Sequence, residues 1–587
     1  MKERFLKILI FGMTLLSGSV FAQQKYNIVM IMTDDQGYGD LGVTGNPYIS
    51  TPNIDALAEE NITLNHYYVN AVCAPTRASF LTGRHNLATG VNWVTRRKEV
   101  MNESEVTIAE LFKTADYKTG LFGKWHNGST YPHNPVGQGF DDFLGFCAGH
   151  WNNYFDAELE TETGDFVKTE GYISDVLTDR AIEFIDKNKE EPFLCFIPYN
   201  APHAPFQVAD KYYDKYAEMG LDERTAAVYG MCENIDDNVG RLITHLKENN
   251  LWENTIFIYT TDNGPNGDRY NAEMKGKKAT VHEGGVRVPM YMRIPGYGKV
   301  EIDELTAHID IFPTLAALCG VKVPENLDIH GLNISPLLKG DSNNFDKRSI
   351  FTHNQPWHFA EAPAGAVRTE QYRLVFSKDN DTTLYDLNVD PSQLKDIRND
   401  HPEVTNQLAA DYHQWFMNVT PNGKEPKAER IQLGHDKSPK TILEAVDGTT
   451  KNKVRYQGKG WSNDWARNFK NKKGVIQWDV KVVEEGDYAI QMLYSCSDEF
   501  KGFKIFVEAG EQHTTRIMDK AFETQVVEMP DREARTEMNE YTWGTLKLGK
   551  LHLKKGKHTI KVRVSNDIQP NNNFRLKQLI VKKNQQS

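Results

Sequence analysis

Cys73, Pro75 and Arg77 stand at alternate positions where a helix is about to begin, and no other short stretch of the chain carries as much chemistry. Pro75 suits a first helical turn, because its missing N–H is not needed there. Free N–H groups at such a helix end draw anions and would acidify a neighbouring thiol. The segment therefore reads as a seat for an oxygen-rich anion facing a reactive side chain, or as a structural cysteine in a turn. A cysteine-dependent phosphatase would want more than the three residues that separate Cys73 from Arg77. Two acidic pairs add to the reading. Asp34-Asp35 and Asp262-Asn263 offer four oxygen donors without histidine or thiol, a set that suits a hard ion, Ca²⁺ or Mg²⁺. Such pairs also solvate ordinary loop ends. Lys124, His126 and His203 supply a cation and two imidazoles, and Lys277-Lys278 precedes the glycine-rich turn of residues 284–285.

These residues need elements to bring them together. Residues 27–33, 117–122, 193–197 and 255–261 are apolar, β-branched runs separated by helical periodicity, the pattern of a mostly parallel sheet flanked by helices. Each run ends in polar residues: Asp34-Asp35, then Lys124 and His126, then Asn200 to His203 by way of Pro202, then Asp262-Asn263. In an open parallel sheet those carboxyl ends share one edge, where ligands bind.

On these motifs the chain resembles the type I, formylglycine-dependent sulfatases of the alkaline phosphatase superfamily. Cys73-Ala74-Pro75-Thr76-Arg77 with Ala78-Ser79-Phe80-Leu81-Thr82-Gly83 is similar to the family signature. Residues 34–42 and 261–265 resemble its two metal motifs, and residues 276–289 its G-K-x-x-x-x-E-G-G-x-R-V-P segment. The spacing from Glu283 selects Lys278 over Lys277, although Ala279 stands where the family has glycine. The resemblance implies that Cys73 becomes formylglycine (3-oxoalanine) through a sulfatase-maturating enzyme. It also implies that Asp34, Asp35, Asp262, Asn263 and the modified Cys73 bind one Ca²⁺, with Mg²⁺ the less suited ion. Arg77 would then hold the nucleophile, while Lys124 and Lys278 grip sulfate. His203 would be the acid for the departing oxygen, and His126 the base that expels sulfate from a covalent sulfo-enzyme.

A chain of 587 residues should divide into several units. Residues 1–22 read as a secretory signal, with Lys2, Arg4 and Lys7 before an apolar stretch and Val20-Phe21-Ala22 as cleavage site. That predicts a periplasmic or secreted protein without a membrane span. We expect a catalytic α/β unit over 23–345, a small α+β subdomain over 346–420 with strands at 366–376 and 383–387, and a linker over 421–440. Period-two alternation over 475–482 and 558–564 predicts an all-β sandwich, carbohydrate-binding-like, over 441–587. The net charge of −12 does not suit nucleic acid, so any anionic substrate must be attracted locally. The six cysteines show no close pairs or zinc spacing, predicting at most one disulfide and none at Cys73. Trp93, Arg96, Arg97, His150, Trp151, Trp357 and His358 are candidate pocket walls, since aromatic and basic residues together stack on sugars and grip anions. Trp461, Trp465 and Trp543 are candidate sugar contacts, with core packing the expectation for at least two. The expected substrate is a sulfated polysaccharide or its oligosaccharides, an algal glycan such as ulvan or carrageenan first and animal glycosaminoglycans second. The alternatives are a phosphomonoester or phosphonate hydrolase of the same superfamily, or a sugar-binding protein with an inactive catalytic unit.

Overall fold

In the computed structural model, residues 25–341, 345–354, 364–377, 381–469, 473–565 and 574–584 are described. The signal segment 1–22, Trp357 and His358 lie outside them. Four strands, Thr255–Thr261, Asn27–Thr33, Phe193–Pro198 and Lys118–Lys124, are consecutive neighbours at the centre of a ten-stranded sheet and run parallel. These are the four runs whose polar ends the sequence singled out. Antiparallel neighbours, Met290–Arg293 on one side and Glu158–Thr161 on the other, lie further out, so the sheet is mixed at its edges.

Both faces of the central strand are fully buried, as a strand covered by helices on each side requires. Val29 and Ile31 pack under the helices Pro52–Glu60, Ile173–Asn188 and Glu223–Glu248. Ile28, Met30 and Met32 pack under Cys73–Thr82, Ile108–Lys113 and Ile311–Leu318. The helix that begins at Cys73 is thus fixed on one face of the sheet, with every residue buried.

The α+β appendage is a four-stranded antiparallel sheet beside the helix Pro402–Val419. The single strand expected over 366–376 is two, Gly365–Arg368 and Tyr372–Phe376, because Thr369 hydrogen-bonds Tyr372 and turns the chain. The expected linker 421–440 also contains the buried strand Ile431–Leu433, which pairs parallel with Val475–Val482. Three residues are too few to show a period among polar neighbours. Beyond it two sheets face each other across one core that includes Trp478, Val480, Tyr488 and Ile490. All six cysteines are buried and free. Among the described residues no helix is long and apolar enough to cross a membrane.

Candidate active site

Register puts the two acidic pairs side by side. Thr33 is the partner of Thr261, so Asp34 and Asp262 emerge from neighbouring strands at the same level. Asp262 donates its backbone N–H to Thr33 O at 3.1 Å, and Asp35 donates its own to Asp262 Oδ1 at 3.3 Å. The helix that starts at Cys73 brings its first side chain to the same edge. One oxygen each of Asp34 and Asp262 and the Cys73 sulfur lie within 4.8 Å of one another. A second such group joins Asp34, Asp35 and His203. The residues gathered from positions 34 to 278 therefore form one site.

Three cations and an imidazole surround these acids. Arg77 donates Nε and Nη2 to Asp262 Oδ2 at 3.0 and 2.8 Å and Nη1 to Lys124 O at 2.8 Å. Lys124 Nζ lies 2.5 Å from Asp34 Oδ2, and Lys278 Nζ lies 2.6 Å from Asp35 Oδ1. His203 Nε2 stands 3.6 Å from Asp35 Oδ2. Lys277 turns away to Asp268, whereas Lys278 reaches the acids. Burial pushes Asp34 upward, but Lys124, His203, Arg77 and Lys278 overcome it and hold the carboxyl below the usual range. Burial, then the Asp34 charge, pushes Asp262 up to about 7.

Burial raises the Cys73 thiol, with Lys124 and Lys278 opposing. The expectation of an acidified thiol is therefore corrected: desolvation outweighs the helix end and the lysines. An unmodified Cys73 here is a poor thiolate nucleophile.

The donor set fits a hard ion. Asp34 Oδ1 and Asn263 Oδ1 are buried without a hydrogen-bond partner among the described residues. Two orphaned oxygens beside further carboxylates form a cation site by chemistry.

Backbone carbonyls anchor both imidazoles. His126 Nε2 faces Val94 O at 2.8 Å, so it must carry the proton, leaving Nδ1 as a bare acceptor. Nδ1 is buried without a partner among the described residues. Burial, then Lys124, pushes this imidazole well below its ordinary value, which keeps it neutral. His203 is anchored through its other nitrogen: Nδ1 donates to Ala204 O at 2.7 Å, which turns Nε2 toward Asp35. Asp35 and His126 both adopt left-handed backbone, φ 65° and 63°, a strained conformation for non-glycine residues.

The expected pocket walls divide. His150 stacks on His203 with centroids 6.4 Å apart, and Trp151 is sandwiched by Phe146 and Phe166. Trp93 is buried. Arg96 and Arg97 are not walls: Arg96 reaches Lys459 O and lies over Tyr456, and Arg97 reaches Glu429 O. Both guanidiniums join the catalytic unit to the segment after residue 420, a role that a local reading of charge and aromaticity does not reveal. The sequence reading also missed Arg269, whose guanidinium holds Asp40 at 2.5 Å and Asp35 O at 3.0 Å, bracing the turn that carries Asp34 and Asp35. No motif marks Arg269, although Asp40 lies within residues 34–42.

Comparisons with known proteins point to one family. The Sulfatase family matches residues 26–321, and the family N-sulphoglucosamine sulphohydrolase, C-terminal, matches residues 276–418. N-acetylgalactosamine-6-sulfatase of Mus musculus is 31% identical over 360 residues, covering 54% of this chain and 67% of that protein. Uncharacterized sulfatase YdeN of Escherichia coli (strain K12) is 27% identical over 501 residues, covering 69% and 88%. The crystal structure of Ps i-CgsB in complex with k-i-k-neocarrahexaose is similar with a TM-score of 0.64 and 31% identity, covering 69% of this chain and 95% of that one.

Proposed function

This chain belongs to the sulfatase family and hydrolyses sulfate esters, and we propose that its substrate is a sulfated polysaccharide or its oligosaccharides, met outside the cytoplasm. The observation that carries the reading is the meeting of Cys73, Asp34 and Asp262 within 4.8 Å, ringed by Arg77, Lys124 and Lys278. The carbohydrate class is supported by the neocarrahexaose complex of the similar Ps i-CgsB, which puts algal galactans ahead of ulvan and glycosaminoglycans. Residues 1–22 would direct export to the periplasm or beyond, which cell fractionation with and without them tests. In our reading the catalytic unit spans 23–345 and its appendage 346–420, and the sandwich begins at Ile431.

Asp34, Asp35, Asp262, Asn263 and residue 73 would hold one Ca²⁺, a better fit than Mg²⁺, which keeps more of its water. When present, the ion offsets charge on the sulfate oxygens and the formylglycine at position 73 supplies the attacking hydroxyl. Because Cys73 is 2% exposed, a maturating enzyme would act on it before the chain closes. Lys124 and Lys278 present fixed positive charge toward the same edge, which preorganises the site for an anion. Arg77, tied to Asp262 and to the backbone of Lys124, orients residue 73. His203 Nε2, protonated, gives its proton to the departing sugar oxygen. His126 Nδ1, bare and buried, accepts the proton that must leave before the enzyme resets.

The test is sulfate release from defined carrageenan, ulvan and glycosaminoglycan oligosaccharides, with phosphate esters as controls and with and without chelator. Chelator-sensitive sulfate release from the galactan set is expected. Release of phosphate alone would contradict the reading.

A further inference from the structure

A cavity of about 500 Å³ lies between the catalytic unit and the C-terminal sandwich, and His126 is part of its wall. Trp151 lines it from the catalytic side, and Trp465, Tyr541 and Trp543 from the sandwich. Its volume falls in the range of roughly 300–1,000 Å³ typical of small-ligand pockets.

The two units are locked together around it. Ser462 Oγ accepts from Gly149 N at 3.0 Å, and Thr95 Oγ1 donates to Gly460 O at 3.0 Å. Asn152 Nδ2 donates to Glu540 Oε2 at 2.8 Å. A Cβ on Gly149 would come within 2.6 Å of His126 Nε2 and 3.2 Å of Ser462 Oγ, so the sandwich loop sits directly behind the catalytic imidazole. That loop is stiff: the Asp464 carboxylate accepts the backbone N–H groups of Gln457, Gly458, Gly460 and Trp465.

The wall is chemically incomplete. Trp465 Nε1 and Glu99 Oε2 belong to residues lining the cavity and are buried without a hydrogen-bond partner among the described residues, while Glu444 Oε2 and Lys577 Nζ form an ion pair at 3.7 Å. Trp465 is itself 2% exposed. Its ring forms a cluster with Tyr541 and Trp543, centroids 5.0 and 5.3 Å away. Donors and acceptors awaiting partners beside an aromatic cluster match a ring rich in hydroxyls. Glu158, Glu162, Asp447 and Glu540 on the wall, against the lysines Lys437, Lys440 and Lys577, leave it unsuited to a second anion. Burial, then the Asp447 charge, pushes Glu99 up to about 8, and a protonated carboxyl both donates to and accepts from hydroxyls.

We propose that this cavity seats an uncharged sugar ring next to the sulfated one, and that the sandwich is a wall of the active site through Trp465, Tyr541 and Trp543. The proposal rests on the sulfatase reading for the position of the sulfated ring. It assigns the sandwich a different place from a binding module on a flexible tether.

The test is calorimetric titration of a neutral galactan hexasaccharide into the full chain, Trp543→Ala, Tyr541→Ala and Trp543→Phe. Circular dichroism checks that each variant is folded. Affinity should fall about tenfold or more in either alanine variant, and less in Trp543→Phe, which keeps a ring in the cluster. A wild-type chain that does not bind the hexasaccharide, or folded alanine variants that bind it equally well, would overturn the proposal. Turnover of nitrophenyl sulfate by the wild type reads the catalytic assignment separately. Saccharide binding without sulfate release would sink that assignment and leave the cavity's standing.

Discussion

His126 and His203 carry the clearest division of labour among single residues, since backbone carbonyls anchor them through opposite nitrogens. His203→Ala should lower kcat on sugar sulfates by roughly 10²–10⁴ and on nitrophenyl sulfate far less, because the nitrophenolate leaves without a proton. Equal losses on both esters would remove His203 from the acid's role. Arg77→Ala should cost activity and also about 3–5 kcal/mol of stability, read by denaturant unfolding, because it leaves Asp262 buried without its cation. The meeting of the two acidic pairs was legible in the sequence because both follow apolar runs of one parallel sheet, whose carboxyl ends share an edge. The thiol's state was not, since desolvation depends on the whole fold. Arg96 and Arg97 were misread because a local pattern cannot say which of two surfaces a guanidinium will meet.

Two elements hold the site by means the sequence half discloses. The loop that carries Lys278 keeps a left-handed residue at Ala279, φ 63°. Ala279→Gly should therefore stabilise the chain by about 0.5–1 kcal/mol, measured as a higher unfolding midpoint, as relief of left-handed strain outweighs added chain entropy. The approach to the Cys73 helix depends on His308, whose Nδ1 donates to Tyr68 O at 2.9 Å and whose Nε2 accepts from Asn70 Nδ2 at 3.0 Å. Burial pushes His308 from 6.5 down to about 4, so the unfolded chain binds the extra proton between those values. Stability from this group is full above pH 6.5 and is lost as pH falls toward 4, when Nε2 can no longer accept from Asn70. The drop in melting temperature over that window should shrink in His308→Gln. The parallel core strands were readable from their apolar runs. The turn at Thr369 and the strand Ile431–Leu433 were not, since their signals are a few residues long.

At the scale of the whole molecule, the sandwich is bound to the catalytic unit by buried and half-buried polar contacts. Gln207 Nε2 donates to Asp531 Oδ1 at 2.7 Å, and Arg224 pairs with Glu533 at 2.7 and 2.8 Å. An Asp531→Ala/Glu533→Ala double variant should speed amide exchange across residues 525–543 by roughly tenfold, with the central sheet unchanged. The sandwich itself was legible as alternating strands. Its docking was not, because contacts between residues three hundred positions apart leave no local pattern. The catalytic account depends on residue 73 acting in oxidised form amid the acids and cations that surround it. Mass spectrometry of the peptide containing residue 73, set against the specific activity of the same preparations, tests this most directly. Activity should rise in proportion to the fraction of Cys73 converted to formylglycine. Full activity in a preparation whose Cys73 is wholly unmodified would contradict the account.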